Sequence, residues 1–184
     1  MNDTPKKTKL VTLPGSLLKA LYALQQEPTD YEWGGGIDFE IIAGIPQVER
    51  VLTFFGEEAQ VPSRVARKYS GDVEVIFHTH PRQSLVQPSP GDILSFVWSP
   101  AQISLIIAGE QIGFLEKRPD HNVLMEKAES MFVPTYYNPE KAIPELKQAL
   151  DDVGIDFILY TRGEDSPVFD LEVVRRIMTK GHVK

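Results

Sequence analysis

His78 and His80 stand one residue apart in the run IFHTHPRQSLVQPSPGD, residues 76–92, and Ser89 and Asp92 close the same run. Side chains alternate along a strand, so a spacing of two turns both imidazoles to one face. From there two nitrogens can reach a single ion at about 2.0–2.1 Å, and Asp92 offers a third, oxygen ligand. Two histidines and one carboxylate leave the fourth position of a tetrahedral zinc open to water, which is how catalytic rather than structural zinc is held.

The same residues have a second reading. Ser89-Pro90-Gly91-Asp92 makes a good helix N-terminus, with Ser89 as N-cap, Pro90 at the first helical position and Asp92 as a capping carboxylate at the positive end of the helix dipole. On that reading no metal is needed and the histidines are half-exposed residues at a strand end. Both stay open from residue types alone. Other zinc chemistries are excluded. There is no cysteine for a deaminase site or a zinc finger, and no H-E-x-x-H. His121, in RPDHNV, and His182, in KGHVK, read as a polar loop residue and a terminal one.

The elements that would position these residues follow from periodicity. LPGSLLKALYALQQE has apolar residues at helical spacing from Leu17 to Leu24, with Pro14 and Ser16 as start signals. Ile37, Phe39 and Ile41 alternate as in a half-buried strand, and QVERVLTFFG follows after the tight AGIP link, which predicts a hairpin. Gly56 to Ser70 reads as a polar loop or short helix. DVEVIF is a nearly continuous apolar run suited to a central strand buried on both faces, with the histidines at its end. A helix is expected from about Ser89 over DILSFVWS. Strands over AQISLIIAG and QIGFLEK then turn at Gly109 and Glu110. The last third reads as a helix over PEKAIPELKQALDDV, a strand over IDFILYTR and a helix over FDLEVVRRIMTK. Pro144 belongs in the opening turn of the first of these helices or marks a later start, because proline breaks a helix interior. The expected fold is a single mixed α/β domain over residues 1–184, a central mixed sheet flanked by helices. Its core spans about 13–132, and a helix–strand–helix extension spans about 135–184.

Composition narrows the function classes. The 184 residues carry a formal net charge of −7, with a pI near 5.1. A nucleic-acid binder needs a basic face to neutralise phosphates, so none is expected. Lys6 to Lys9, KKTK, reads as a solvated terminus. No apolar run approaches the ~18 residues of a membrane span and no signal-peptide core follows Met1, so the expectation is an intracellular, cytoplasmic protein without a membrane partner.

The run HTHPRQSLVQPSPGD closely resembles the signature of the JAMM (MPN-plus, JAB-domain) zinc metalloproteases: His-Ser/Thr-His, a spacer of about seven residues, Ser-x-x-Asp, and a glutamate well upstream. The resemblance extends over roughly Leu13 to Lys117. It implies a JAB/MPN-like, cytidine-deaminase-like architecture, with Zn2+ bound by His78, His80 and Asp92. Ser89 would donate to the developing oxyanion. Eight residues, Pro81 to Pro88, separate His80 from Ser89, one more than the commonest spacing, and a loop can absorb the difference. The family glutamate lies just after the first helix, at the start of the first strand, beside small residues. YEWGGGIDF nominates Glu32 as general base, with Glu40, inside the strand, as its rival. The triple glycine beside Glu32 reads either as a flexible turn or as a place of close backbone approach.

The resemblance further implies hydrolysis of a peptide or isopeptide bond at the C-terminus of a ubiquitin-like modifier, with Gly56 to Ser70 where such enzymes carry a substrate-contacting insertion. Two alternatives stand beside it. One is a zinc amidase or peptidase acting on small or peptide substrates, the other a non-catalytic scaffold of the same fold.

Overall fold

The computed structural model of the chain describes residues 10–26, 31–43, 45–58, 73, 75–81, 86–118, 139–163 and 168–170. In chain order the elements are β1 (Leu10–Thr12), α1 (Gly15–Ala23) with a 3-10 turn at Leu24–Gln26, β2 (Tyr31–Ile42), β3 (Ile45–Glu58), β4 (Val75–Thr79), α2 (Pro90–Trp98), β5 (Ile103–Ala108), β6 (Gln111–Lys117), α3 (Pro139–Asp151), β7 (Ile155–Thr161) and β8 (Val168–Asp170). Six strands form one mixed sheet in the order β3-β2-β4-β5-β6-β7, and β1 and β8 pair separately. The class is therefore mixed α/β. No helix among the described residues is long and apolar enough to cross a membrane.

Within the six-stranded sheet β4 and β5 are the one parallel pair. Parallel neighbours need a crossover, and α2 supplies it. Leaving the carboxyl end of β4, the chain enters α2 and runs back, so the first turn of α2 lies beside the strand end that carries the histidines.

Helices cover both faces of the sheet. On one, Leu17, Leu21 and Tyr22 of α1 meet Ile37, Val75, Phe77, Leu105 and Phe114. On the other, Ile93 and Phe96 of α2 and Leu146 and Leu150 of α3 meet Ile106, Leu115, Ile155 and Phe157. Every residue of β5 is consequently buried, the pattern of a strand covered on both sides. α3 and β7 belong to this same core, β7 being hydrogen-bonded along β6.

Several elements differ from the sequence reading. Gly56 to Glu58 continue β3 instead of opening a loop, because they face the start of β2. Pro144 lies inside α3, which already begins at Pro139. Burial of Leu146 and Leu150 against the sheet holds the helix through it. Val168 to Asp170 form a strand on β1, not the start of a helix. Asp38 breaks the alternation of β2: it is buried and meets Arg50, its partner across the β2–β3 ladder, with the Arg50 Nε donating at 2.7 Å. The rest of the expected final helix, the segment 59–70, His121 and His182 lie outside the described residues.

Candidate metal centre

His78 is the penultimate residue of β4 and His80 follows its end. Their Nε2 atoms lie 3.1 Å apart. Asp92, in the first turn of α2, brings Oδ1 to 3.2 Å from the His78 Nε2 and Oδ2 to 3.4 Å from the His80 Nε2. Among the described residues these three make a group able to hold a metal ion. The fit can be tested on the spacing. Ligands about 2.0–2.1 Å from a tetrahedral ion are separated by about 3.3–3.4 Å. The Nε2–Nε2 edge of 3.1 Å comes close to that spacing, and each nitrogen has its own Asp92 oxygen, at 3.2 and 3.4 Å. Two imidazole nitrogens face to face also need a cation or a shared proton between their lone pairs. The donor set of two nitrogens and a carboxylate suits a divalent transition ion and does not choose among them.

The helix cap is equally real. The Asp92 N–H donates to the Ser89 Oγ at 3.2 Å, and the Ser89 N–H donates to the Asp92 Oδ2 at 2.6 Å, a complete capping box with Pro90 next to the cap. The two readings of PSPGD coexist because a carboxylate has two oxygens and several lone pairs. Burial would push the Asp92 carboxyl up. The charge and hydrogen bonds of His78 and His80 outweigh that and hold it well below the usual carboxylate range. Ser89, having accepted one hydrogen bond, keeps its hydroxyl proton to donate.

Glu32 is the second residue of β2 and is buried. Burial raises its carboxyl above the ordinary range; positive charge on His78 and His80 opposes that, and the Asp92 charge adds to it. The β2–β4 register explains why these groups feel one another. Gly34 lies opposite His78, so Glu32 is two positions from that point. Glu40 is six positions away in the other direction, opposite Gln47, about 20 Å along the strand at ~3.3 Å per residue. The fold brings Glu32, not Glu40, to the His78–His80–Asp92 group.

The triple glycine is neither turn nor loop. Gly34 to Gly36 are buried strand residues, paired with β3 on one side and β4 on the other. A Cβ on Gly35 would lie 1.9 Å from the Leu52 carbonyl oxygen and 2.6 Å from the Phe77 ring, and one on Gly36 would lie 2.7 Å from Val73. The glycines thus let β2 lie tightly between its neighbours beside the site.

Two further residues have roles that the sequence did not show, although Thr79 is the middle residue of the His-Ser/Thr-His run. Thr79, fully buried between the histidines, accepts the Trp33 N–H through its Oγ1 at 2.9 Å. Lys117, at the end of β6, reaches the other end of α2. Its Nζ donates to the carbonyls of Ser99 at 2.7 Å and Ala101 at 2.8 Å and lies 4.5 Å from the Phe96 ring centre. Burial lowers its pKa to about 8. A lysine and a threonine inside strands are ordinary residues until the partner elements are known. No protein-family model matches this chain, and no curated protein does.

Proposed function

We propose that this chain is a zinc-dependent metallopeptidase of the JAMM type, with a JAB/MPN-like architecture, that hydrolyses a peptide or isopeptide bond at the C-terminus of a ubiquitin-like modifier. The observation that carries the reading is the convergence of the His78 and His80 Nε2 atoms, 3.1 Å apart, with an Asp92 oxygen 3.2 Å from the first and the other 3.4 Å from the second, and the buried carboxyl of Glu32 beside them. The zinc and the modifier come from the resemblance of the 76–92 run, and the order α1, hairpin, β4, α2, β5, β6 agrees with it.

His78, His80 and Asp92 would hold the ion. Zinc, when bound, supplies Lewis acidity, which polarises a carbonyl and makes water acidic enough to attack at neutral pH. Glu32 takes a proton from the attacking water as its oxygen bonds to the carbonyl carbon. It returns that proton to the amine nitrogen as the C–N bond breaks. A carboxyl raised by burial suits both halves of this exchange, since a general acid–base works best with a pKa near the working pH. The Ser89 hydroxyl donates to the carbonyl oxygen as it becomes anionic.

The test is the zinc content of chelator-free, tag-free protein, followed by turnover of modifier fusions against short peptides. About one zinc per chain with cleavage of a fusion supports the proposal. Cleavage of short peptides alone would redirect it to a zinc amidase or peptidase. Failure to take up zinc even when it is added back would leave the 89–92 run as a helix cap and nothing more.

A further inference from the structure

The β2–β4 ladder ends at Gly34 and His78 although both strands continue. Carried on, the same antiparallel register would oppose Trp33 to Thr79 and Glu32 to His80. On its other edge β4 keeps its pairing with β5 past this point, Thr79 lying opposite Ile107 and the His80 N–H donating to the Ile107 carbonyl at 2.9 Å. At this point β2 also departs from regular pairing on its other side: the register between Tyr31–Trp33 and β3 slips, three steps along β3 answering two along β2. The backbone next to Glu32 is therefore irregular on one side and beyond the end of the ladder on the other.

One side chain bridges that opening. The Thr79 Oγ1 accepts the Trp33 N–H at 2.9 Å and is closed to solvent, so a hydroxyl stands in for the carbonyl that a continuing ladder would present. A carbonyl-type ladder bond would hold β2 at the usual ~4.8 Å interstrand spacing and close the strands over the histidines. The hydroxyl holds the Trp33 backbone through a side chain at the point where the ladder pairing stops.

We infer that Thr79 is the positioning residue for the general base: its hydroxyl, by holding the Trp33 amide where the β2–β4 ladder ends, sets the placement of Glu32 against the His78–His80–Asp92 group. The inference rests on the function proposed above, but its central contact can be read without turnover. Thr79 touches no reacting atom and acts through the peptide that follows Glu32. Because the three ligands are held by β4 and α2, the hydroxyl is separable from metal binding.

The experiment compares wild type with Thr79→Val, which keeps the shape and removes the acceptor, and Thr79→Ser, which restores it. In Thr79→Val the Trp33 amide exchanges faster with solvent deuterium by NMR, and zinc stoichiometry is unchanged. The kcat on a modifier fusion falls about ten- to a hundredfold with KM held, as expected for a misplaced catalytic group. Thr79→Ser recovers both the amide protection and kcat. Wild-type turnover by Thr79→Val, an unaltered Trp33 amide, or loss of zinc together with activity would each overturn the inference. If the wild type cleaves no substrate, the proposed function fails separately. The placement of Glu32 is then read from its carboxyl carbon shift in metal-free protein. A shift that moves in Thr79→Val and returns in Thr79→Ser supports the positioning role, and one that does not move refutes it.

Discussion

Replacing Asp92 by Asn separates the two tasks of one carboxylate. The Oδ2 accepts the Ser89 N–H at 2.6 Å, while Oδ1 and Oδ2 face the two imidazoles at 3.2 and 3.4 Å. An Asn keeps one carbonyl oxygen for the cap and exchanges the other oxygen for an NH2, which donates and carries no charge. For the metal-free protein the expected loss is the charge–dipole part of the cap, about 0.3–1 kcal/mol, together with the attraction of the carboxylate for His78 and His80. At about 2–4 °C per kcal/mol for a chain of this size, the cap part alone lowers Tm by up to about 4 °C. Metal binding should respond very differently. Saturating wild type at one hundred times its Kd adds about 2.7 kcal/mol by mass action, a rise in Tm of about 5–11 °C. Loss of a direct ligand should weaken affinity by more than the ~10–100-fold typical of an outer-shell partner, which abolishes that rise at the same zinc concentration. Thermal melts with and without zinc, supported by titration calorimetry, read both quantities. A zinc-dependent rise in the variant equal to that of wild type would refute the assignment of Asp92 as a ligand.

The other expectations divide cap, base, seam and helix anchor. Ser89→Ala loses the N-cap acceptor for the Asp92 amide, about 1 kcal/mol in a thermal melt, and keeps zinc, while turnover falls about 10²–10³-fold in steady-state kinetics. Glu32→Gln abolishes about 10²–10⁴-fold of the rate and yet stabilises the metal-free protein at neutral pH. The sign follows from burial: the folded pKa is raised, so the native state binds the proton more tightly and stability falls as pH rises from the unfolded pKa through the folded one, a loss that Gln does not share. Denaturant titrations of wild type and variant at pH 4 and pH 7 check this. Lys117 behaves in the opposite sense. Its pKa drops from 10.5 unfolded to about 8 folded, so wild-type stability gains with pH between those values relative to Lys117→Met, measured by the same titrations at pH 7.5 and 10. Gly35→Ala places a methyl 1.9 Å from the Leu52 carbonyl oxygen, a backbone atom that cannot swing aside, and should cost at least about 2 kcal/mol in a thermal melt.

What the sequence determined by itself is what local rules govern. The two-residue spacing of His78 and His80 needs only the alternation of a strand to put them on one side, and Ser89 with Asp92 needs only the first turn of a helix to close a capping box. The strands at 103–108 and 111–117 and the helix at 90–98 were legible for the same reason, being bounded by turn and cap residues close in the chain. Tertiary structure decided the rest. Whether Glu32 or Glu40 meets the histidines depends on the register of β2 against β4, a pairing between residues 38 to 44 positions apart in the chain. The triple glycine could be placed in a seam only once Leu52, Phe77 and Val73 were known to press on it. Lys117 became a helix anchor, and Thr79 a hold on the Trp33 backbone, because neighbouring elements delivered backbone groups that needed a partner where regular pairing stopped. Side-chain chemistry was written in the sequence, but the distances that let those side chains act together came from long-range strand pairing.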